Sequence, residues 1–328
     1  MKNKVSIFAF ISFLCVLFFQ AQMYCEESKL KVSIAPELGF LSGEIVENVW
    51  YVNSSENGSK TTLTPTTRMS RLDWQIENSF NWGFNTDFTF NNKYTFLFSI
   101  KNAISQNCGV MEDYDWLNPI TRGWLNDPAD ELTNYSIHTN YMNNYTHINF
   151  MIGRIFYLGQ NKNIGLTPLF GIDIENISMS GISGWYTYKK DNWKKFYFDD
   201  EKVISYSQSY AAPILLLNAD FNFARYFEVC LGLSAVWIKE LDCIDLHHAK
   251  NTYYNDRIEN AWNFGAELKF FFKIKERNKI GIKGGINYIP DAYGFTYNSK
   301  TDTMPDTTSL GGTSRLIWNY SLVYVFRF

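Results

Sequence analysis

Every second residue from Leu316 to Phe328 is apolar or aromatic. Leu316, Trp318, Tyr320, Leu322, Tyr324, Phe326 and Phe328 alternate with Arg315, Ile317, Asn319, Ser321, Val323, Val325 and Arg327. Successive side chains of a β-strand point to opposite faces, so this segment forms a strand with one wholly apolar face and one mixed face. An aromatic face of seven positions that closes on Phe328 fits a barrel strand whose outer side meets lipid.

The pattern recurs. Leu72, Trp74, Ile76, Phe80, Trp82 and Phe84 form a second face, and Tyr94, Phe96, Phe98 and Ile100 a third, with the aromatics falling mainly at lipid-facing places. Val229, Leu231, Leu233, Ala235 and Trp237 form another, as do Trp262, Phe264, Ala266, Leu268, Phe270 and Phe272, and Ile280, Ile282, Ile286 and Tyr288. No segment has a comparably sustained helical period. Composition agrees: 46% of residues are hydrophobic, with Tyr 21, Phe 27 and Trp 10, yet the mean hydropathy is −0.23. The apolar residues are therefore interleaved with polar ones, which excludes helical spans of about 20 apolar residues. A net charge of −3 without a long Lys/Arg run gives a nucleic-acid partner no electrostatic footprint.

Ten strands are expected, near 30–42, 69–84, 94–107, 141–156, 164–180, 206–223, 227–241, 256–272, 280–296 and 309–328. The intervening segments alternate short (85–93, 157–163, 224–226, 273–279) with long (43–68, 108–140, 181–205, 242–255, 297–308). An even-stranded antiparallel transmembrane β-barrel does this, with short periplasmic turns and long extracellular loops. A soluble β-sandwich would also alternate, but the start of the chain favours export. Lys2 and Lys4 precede the apolar run Val5–Phe19, as in a secretory signal peptide. Residues 1–25 are read as that signal and 26–328 as one barrel domain. Of the five cysteines, Cys15 leaves with the signal, and Cys25, Cys108, Cys230 and Cys243 show no metal-binding spacing. A bridge between Cys108 and Cys243 would require their Cα atoms to lie within about 7 Å.

Two clusters carry chemistry. Asp113 and Asp115 follow the third strand; Asp245 and His247 follow the seventh. In each, the i, i+2 spacing puts both side chains on one strand face, and both fall at the extracellular mouth. An Asp beside a His orients the imidazole and makes it a usable base. Two adjacent carboxylates raise one pKa and can hold a proton. A water between the pairs could then attack a peptide carbonyl. The same residue types are also ordinary loop residues, and two Asp with a His could ligate Zn²⁺, although the spacing matches no zinc motif.

Met111, Glu112, Asp113, Tyr114, Asp115 and Trp116 resemble the aspartate-pair motif of the omptin family, and Asp245, Leu246 and His247 resemble its Asp-x-His motif. Gly39, Phe40, Leu41, Ser42 and Gly43, followed by Glu47, resemble its first-strand signature, and Ser70 to Trp74 its second. The four motifs occur in order from Gly39 to Phe328. The resemblance implies a ten-stranded outer-membrane endopeptidase that uses an activated water and no cofactor. His247 would be the base, Asp245 its orienting partner, and Asp113 and Asp115 would position the water and stabilise the tetrahedral intermediate. Glu47 matches the acid at the floor of a pocket for basic side chains. Polypeptide substrates and outer-membrane lipid are the implied partners, and a monomer is expected.

Three departures stand beside the resemblance. The second acid of the basic-residue pocket falls on Cys243, and the adjacent Asp242 should point the other way. The arginines with which the family binds lipopolysaccharide fall on Asn176 and Ser209. After Trp124 the chain reads Leu125, Asn126, Asp127 and Pro128, unlike the family's second loop. The alternatives are a catalytically inactive barrel serving as an adhesin or surface receptor, and a passive pore, for which ten strands are narrow. His138, His147 and His248 are assigned no role.

Overall fold

The computed structural model describes residues 30–57, 60–117, 131–161, 163–223, 225–275, 277–298, 306 and 308–328. The expected signal peptide, Cys25 and the segment around Trp124 lie outside them. The strands are β1 (Leu30–Asn57), β2 (Lys60–Phe90), β3 (Tyr94–Ala103), β4 (Gln106–Asp115), β5 (Asn134–Arg154), β6 (Phe156–Leu158), β7 (Ile164–Tyr188), β8 (Phe196–Tyr197), β9 (Lys202–Asn222), β10 (Phe227–His247), β11 (Thr252–Lys275), β12 (Asn278–Asn298) and β13 (Ser309–Arg327). All pair antiparallel in one sheet. β1 pairs with β2 on one side and β13 on the other, so the sheet closes. Ten strands make the ring: β3 and β4 are two lengths of one interrupted strand between β2 and β5, β6 continues β5 along β7, and β8 adds only to the far tip of β7. Closure leaves no unpaired edge, which a hydrocarbon surround demands. The described ends of the chain meet at one rim, where the Phe328 N–H donates to the Val32 carbonyl at 2.9 Å.

The alternation sorts as expected on β13. Trp318, Tyr320, Leu322, Phe326 and Phe328 are exposed on the outside, while Arg315, Ile317, Asn319, Ser321, Val323 and Val325 are buried inside. Around the barrel the outward band is bounded by aromatics. Tyr94, Tyr157, Phe223, Phe227 and Phe272 lie towards the terminal rim, and Trp237, Trp262, Tyr288 and Trp318 towards the other. Inside the band the lumen is filled by ion pairs. Lys283 bonds Glu37, which also has Lys101 at 3.7 Å; Lys269 meets Glu267 at 2.6 Å; Arg315 bonds Glu175. A vestibule of about 640 Å³ at the terminal rim narrows to a cavity of about 130 Å³ where these residues cross. Small barrels are filled in this way by their own side chains.

Two expectations are corrected. First, the far ends of the strands run on much further than hydropathy indicated. The expected loop 43–68 is the ends of β1 and β2 with only 58–59 between them, and the expected loop 242–255 is strand apart from residues 248–251. Above the lipid band both faces of a strand turn polar, so alternation disappears while backbone pairing persists. Second, the Leu72–Phe84 face does not point one way. Trp82 is exposed, but Leu72, Trp74 and Ile76 are buried in the lumen. Between them Asn78 takes φ 46°, the β1–β2 register slips, and one extra residue exchanges the faces. The Asn78 N–H donates to Ser42 Oγ at 3.0 Å and its Oδ1 accepts from Tyr320 Oη at 2.6 Å.

Candidate functional site

The same device turns both chemical pairs inward. On β10 the odd-numbered residues up to Trp237 face lipid, yet Leu241, Cys243 and Asp245 are buried inside. Val236 pairs with Ile214 but Asp242 with Ser209, one residue out of step. On the paired strand β11 the change falls at Asn260, with φ 59°. On β4, Cys108 and Met111 both face inward although three positions apart. Gly109, at φ 120° beside a register slip, takes up the extra residue. Without these irregularities, period two would carry His247, Asp245, Asp113 and Asp115 onto the outer wall.

Above the slips, Asp113 stands between Leu72 of β2 and Ser136 of β5, and Asp115 between Ser70 and Asn134. Ser70 Oγ lies 3.5 Å from Asp113 Oδ1, and Asn134 Nδ2 donates to Asp115 Oδ2 at 3.0 Å. Glu112, on the opposite face of β4, accepts from Tyr135 Oη at 2.5 Å. The second pair lies on β10, where His247 Nε2 and Asp245 Oδ2 are 2.6 Å apart and the imidazole meets Tyr254 edge-on at 5.6 Å. Asp245 is eight residues past Trp237, about 26 Å of strand at roughly 3.3 Å per residue, so the site stands clear of the lipid band.

A stacked pair of rings joins the two sides beneath the acids. Trp74 from β2 lies against Tyr206 from β9 with centroids 5.8 Å apart and planes at 16°. Trp74 is two residues below the partner of Asp113, and Tyr206 is the direct neighbour of Asp245. Both rings are buried, so they form a floor closing the lumen under the mouth. Glu47 lies beside this floor, 2% exposed, with the Trp74 indole N–H as its nearby donor, short of hydrogen-bonding geometry.

The acids interact. Burial pushes the Glu47 carboxyl well above the usual range, and Asp245, Asp256 and Asp113 push it further. Burial likewise raises Asp113, followed by the charges of Asp115 and Asp245, against a smaller opposing pull from Lys250 and Ser70. Carboxylates that repel across a dry space hold protons at a pH where exposed ones do not. Asp113 therefore favours the protonated form, able to donate a hydrogen bond.

Residues 28–325 match the model of the Omptin family. This chain belongs to the omptin family. The plasminogen activator of Yersinia pestis is 21% identical over 298 residues, covering 88% of this chain and 85% of that protein. The crystal structure of the outer membrane protease OmpT from Escherichia coli superposes with a TM-score of 0.75 at 16% identity, covering 91% of this omptin and 97% of that chain.

All five residues singled out in the sequence, Glu47, Asp113, Asp115, Asp245 and His247, converge on the mouth of this omptin opposite the terminal rim. Asp242 points away, as strand geometry required, and pairs with Arg257. Cys243 faces the lumen, and burial raises its thiol pKa. Cys108, Cys230 and Cys243 are all free thiols, so no bridge joins Cys108 to Cys243. Asn176 and Ser209 are direct partners on the outer wall, where Asn144 Nδ2 donates to Asn176 Oδ1 at 2.9 Å; these three side chains are neutral, and Asp242 stands on the other side of Ser209. His138 is tied to the Ser183 carbonyl and Ser136, and His248 to Ser205. His147 lies 2.5 Å from Asp173 within the lumen, and Asp173 accepts in turn from Tyr210. Among the described residues, the one grouping of metal-ligand side chains is Asp220, Glu228 and Cys230 at the opposite end, where Lys279 bonds Glu228. Sequence reasoning missed Trp74 and Tyr206 as the floor, and Asp256, which became visible only once β10 and β11 were in register.

Proposed function

We propose that this omptin is an outer-membrane endopeptidase whose active site is the mouth facing the cell exterior. The observation that carries the reading is the placement of the Asp245–His247 pair and the Asp113–Asp115 pair above one aromatic floor. His247, held through Nε2 by Asp245, keeps Nδ1 for a water and takes its proton as that water attacks a peptide carbonyl carbon. Asp245 stabilises the imidazolium that results. Asp113, held protonated by burial and by Asp115 and Asp245, donates towards the carbonyl oxygen as negative charge develops there. His247 then returns a proton to the leaving amine, which balances the hydrolysis without a covalent intermediate or a cofactor. The filled lumen below the floor keeps the reaction at the mouth. The substrates are polypeptides, the protein works as a monomer, and outer-membrane lipid surrounds the band.

The neutral pair Asn176 and Ser209 favours a second reading, in which the barrel has lost lipid-dependent activity and serves as an adhesin or surface receptor. Digestion of a broad peptide library by the lipid-reconstituted chain and by its His247→Ala variant separates the two. Cleavage that disappears in the variant supports the endopeptidase; no cleavage by the wild type removes it.

A further inference from the structure

The outer end of β7 brings to the mouth a set of side chains that the proposed reaction does not use. Thr139 pairs with Ile182 and Ile137 with Trp185, so three residues of β7 span two of β5. Ser183 at φ 55° and Gly184 at φ 101° take up the extra residue, and a Cβ on Gly184 would lie 1.9 Å from the Ile137 carbonyl oxygen. A bulge of this kind exchanges the faces of the strand beyond it, and here it turns Tyr186 and Tyr188 inward. Tyr186 pairs with Ser136, the partner of Asp113, and Tyr188 with Asn134, the partner of Asp115. Directly opposed residues share a face of the sheet. The two tyrosines therefore stand two strands from the acids, about 10 Å away.

β8 completes this wall. It lies off the ring of ten strands and pairs with the tip of β7, after a turn in which Asn192 and Trp193 take φ 51° and 59°. Phe196 opposes Tyr186 and stacks on it at 5.3 Å and 21°, and Phe198 meets the same ring at 4.8 Å. The Phe198 N–H donates to the Gly184 carbonyl at 3.0 Å and holds the fold-back. All four rings are half-buried, so each keeps part of its surface open. Two exposed lysines stand over them, with Lys190 Nζ 4.9 Å from the centre of the Tyr188 ring and Lys194 Nζ 5.6 Å from that of Phe196. Lys189 is paired with Glu131 at 2.6 Å. Lys190 and Lys194 form no ion pair among the described residues, not even with Asp191, Asp199, Asp200 or Glu201 of the same segment. The mouth is thus polarised, with the acids on one side and ammonium groups over aromatic rings on the other.

We propose that Tyr186 and Phe196, with Lys190 and Lys194, form a substrate subsite on the β7–β8 side of the mouth for an aromatic side chain that has a carboxylate beside it. The assignment rests on the endopeptidase reading for its use. A substrate ring gains offset or edge contacts with the two rings of the wall and lies within reach of an ammonium group, while the adjacent carboxylate meets that ammonium directly. The span from the acids corresponds to about three residues of extended chain at roughly 3.3 Å each, which sets the distance of the recognised pair from the cleaved bond. Burial, Tyr186 and the charges of Asp115 and Asp113 raise the Tyr188 hydroxyl pKa, in keeping with one continuous surface from the acids to the wall.

The test uses the full chain in lipid, carrying His247→Ala so that peptides are bound without being cut, and three hexapeptides alike except for a central Phe-Glu, Ala-Glu or Phe-Gln, with binding measured by calorimetry. Phe-Glu should bind about fivefold more tightly than either of the others. Tyr186→Leu, which keeps an apolar side chain but removes the ring, should bring the Phe-Glu to Ala-Glu ratio towards one. Lys190→Gln with Lys194→Gln should instead bring the Phe-Glu to Phe-Gln ratio towards one. Absent or equal binding of the three peptides, ratios that persist in the variants, or an equal weakening of all three peptides by Tyr186→Leu, as a purely structural role would give, overturns the subsite. Should Tyr186→Leu fail to form the barrel, Phe196→Leu on β8, off the ring, replaces it and must lower the same ratio. Digestion by the wild type of longer peptides with the same pairs about three residues to either side of a susceptible bond separates the two claims. Cleavage without ring-dependent preference removes the subsite and keeps the protease. Ring-dependent binding without cleavage keeps the binding site and removes the protease.

Discussion

Replacing Asp256 by asparagine should stabilise the barrel above neutral pH and leave it unchanged in acid. Burial raises the Asp256 carboxyl from the ordinary value of 3.8 to about 7, with Asp245 adding to the shift and the Thr296 hydrogen bond opposing it. A raised folded-state pKa means that the folded chain holds the proton more tightly than the unfolded one. Its contribution is fully present below 3.8 and is lost as pH rises through about 7. Between those values each pH unit removes about 1.4 kcal/mol. The interval of about 3 units amounts to about 4 kcal/mol at pH 8, of which asparagine should recover about 3 once its weaker bond from Thr296 is discounted by about 1 kcal/mol. Urea unfolding of the full chain in detergent micelles at pH 4 and pH 8 measures this. A gain confined to pH 8 is expected. An equal gain at both pH values, or a loss at pH 8, would refute the electrostatic reasoning.

Other expectations concern the scaffold. Trp74→Ala removes one ring of the stacked floor and should cost about 3–5 kcal/mol by the usual scale for buried aromatics, read as a lower denaturant midpoint, and should lower cleavage through loss of the floor. Asn78→Val forces a β-branched side chain onto φ 46° and should destabilise by about 1–3 kcal/mol, whereas Asn78→Gly should be nearly neutral. Asn176→Arg with Ser209→Arg places two cations on the neutral wall and should increase retention on vesicles containing anionic lipid, an effect that added salt diminishes.

Much of the architecture was readable in advance because lipid imposes a strict rule. Where one face meets hydrocarbon, as from Leu316 to Phe328, the alternation cannot lapse. Beyond the band the rule relaxes, so the upper halves of β1, β2, β10 and β11 read as loops although their backbones stay paired. The face exchange at Asn78 was hidden for a different reason: a single extra residue leaves composition and apparent periodicity intact while reversing the direction of Leu72, Trp74 and Ile76. The acids Asp113, Asp115 and Asp245 and the base His247 were legible because i, i+2 pairs are local. Asp256 was not, since its meaning depends on standing opposite Cys243, a relation between strands.

The central claim is that the two pairs act together on one peptide bond, His247 through the attacking water and Asp113 through the carbonyl oxygen. The most direct measurement is the cleavage rate of a single susceptible peptide by Asp113→Ala, His247→Ala and the double variant. Groups that act as one unit are strongly non-additive, so each single variant should lose nearly all activity and the double variant should be scarcely slower than either. Losses that multiply in the double variant would show that the pairs work independently and would contradict the account.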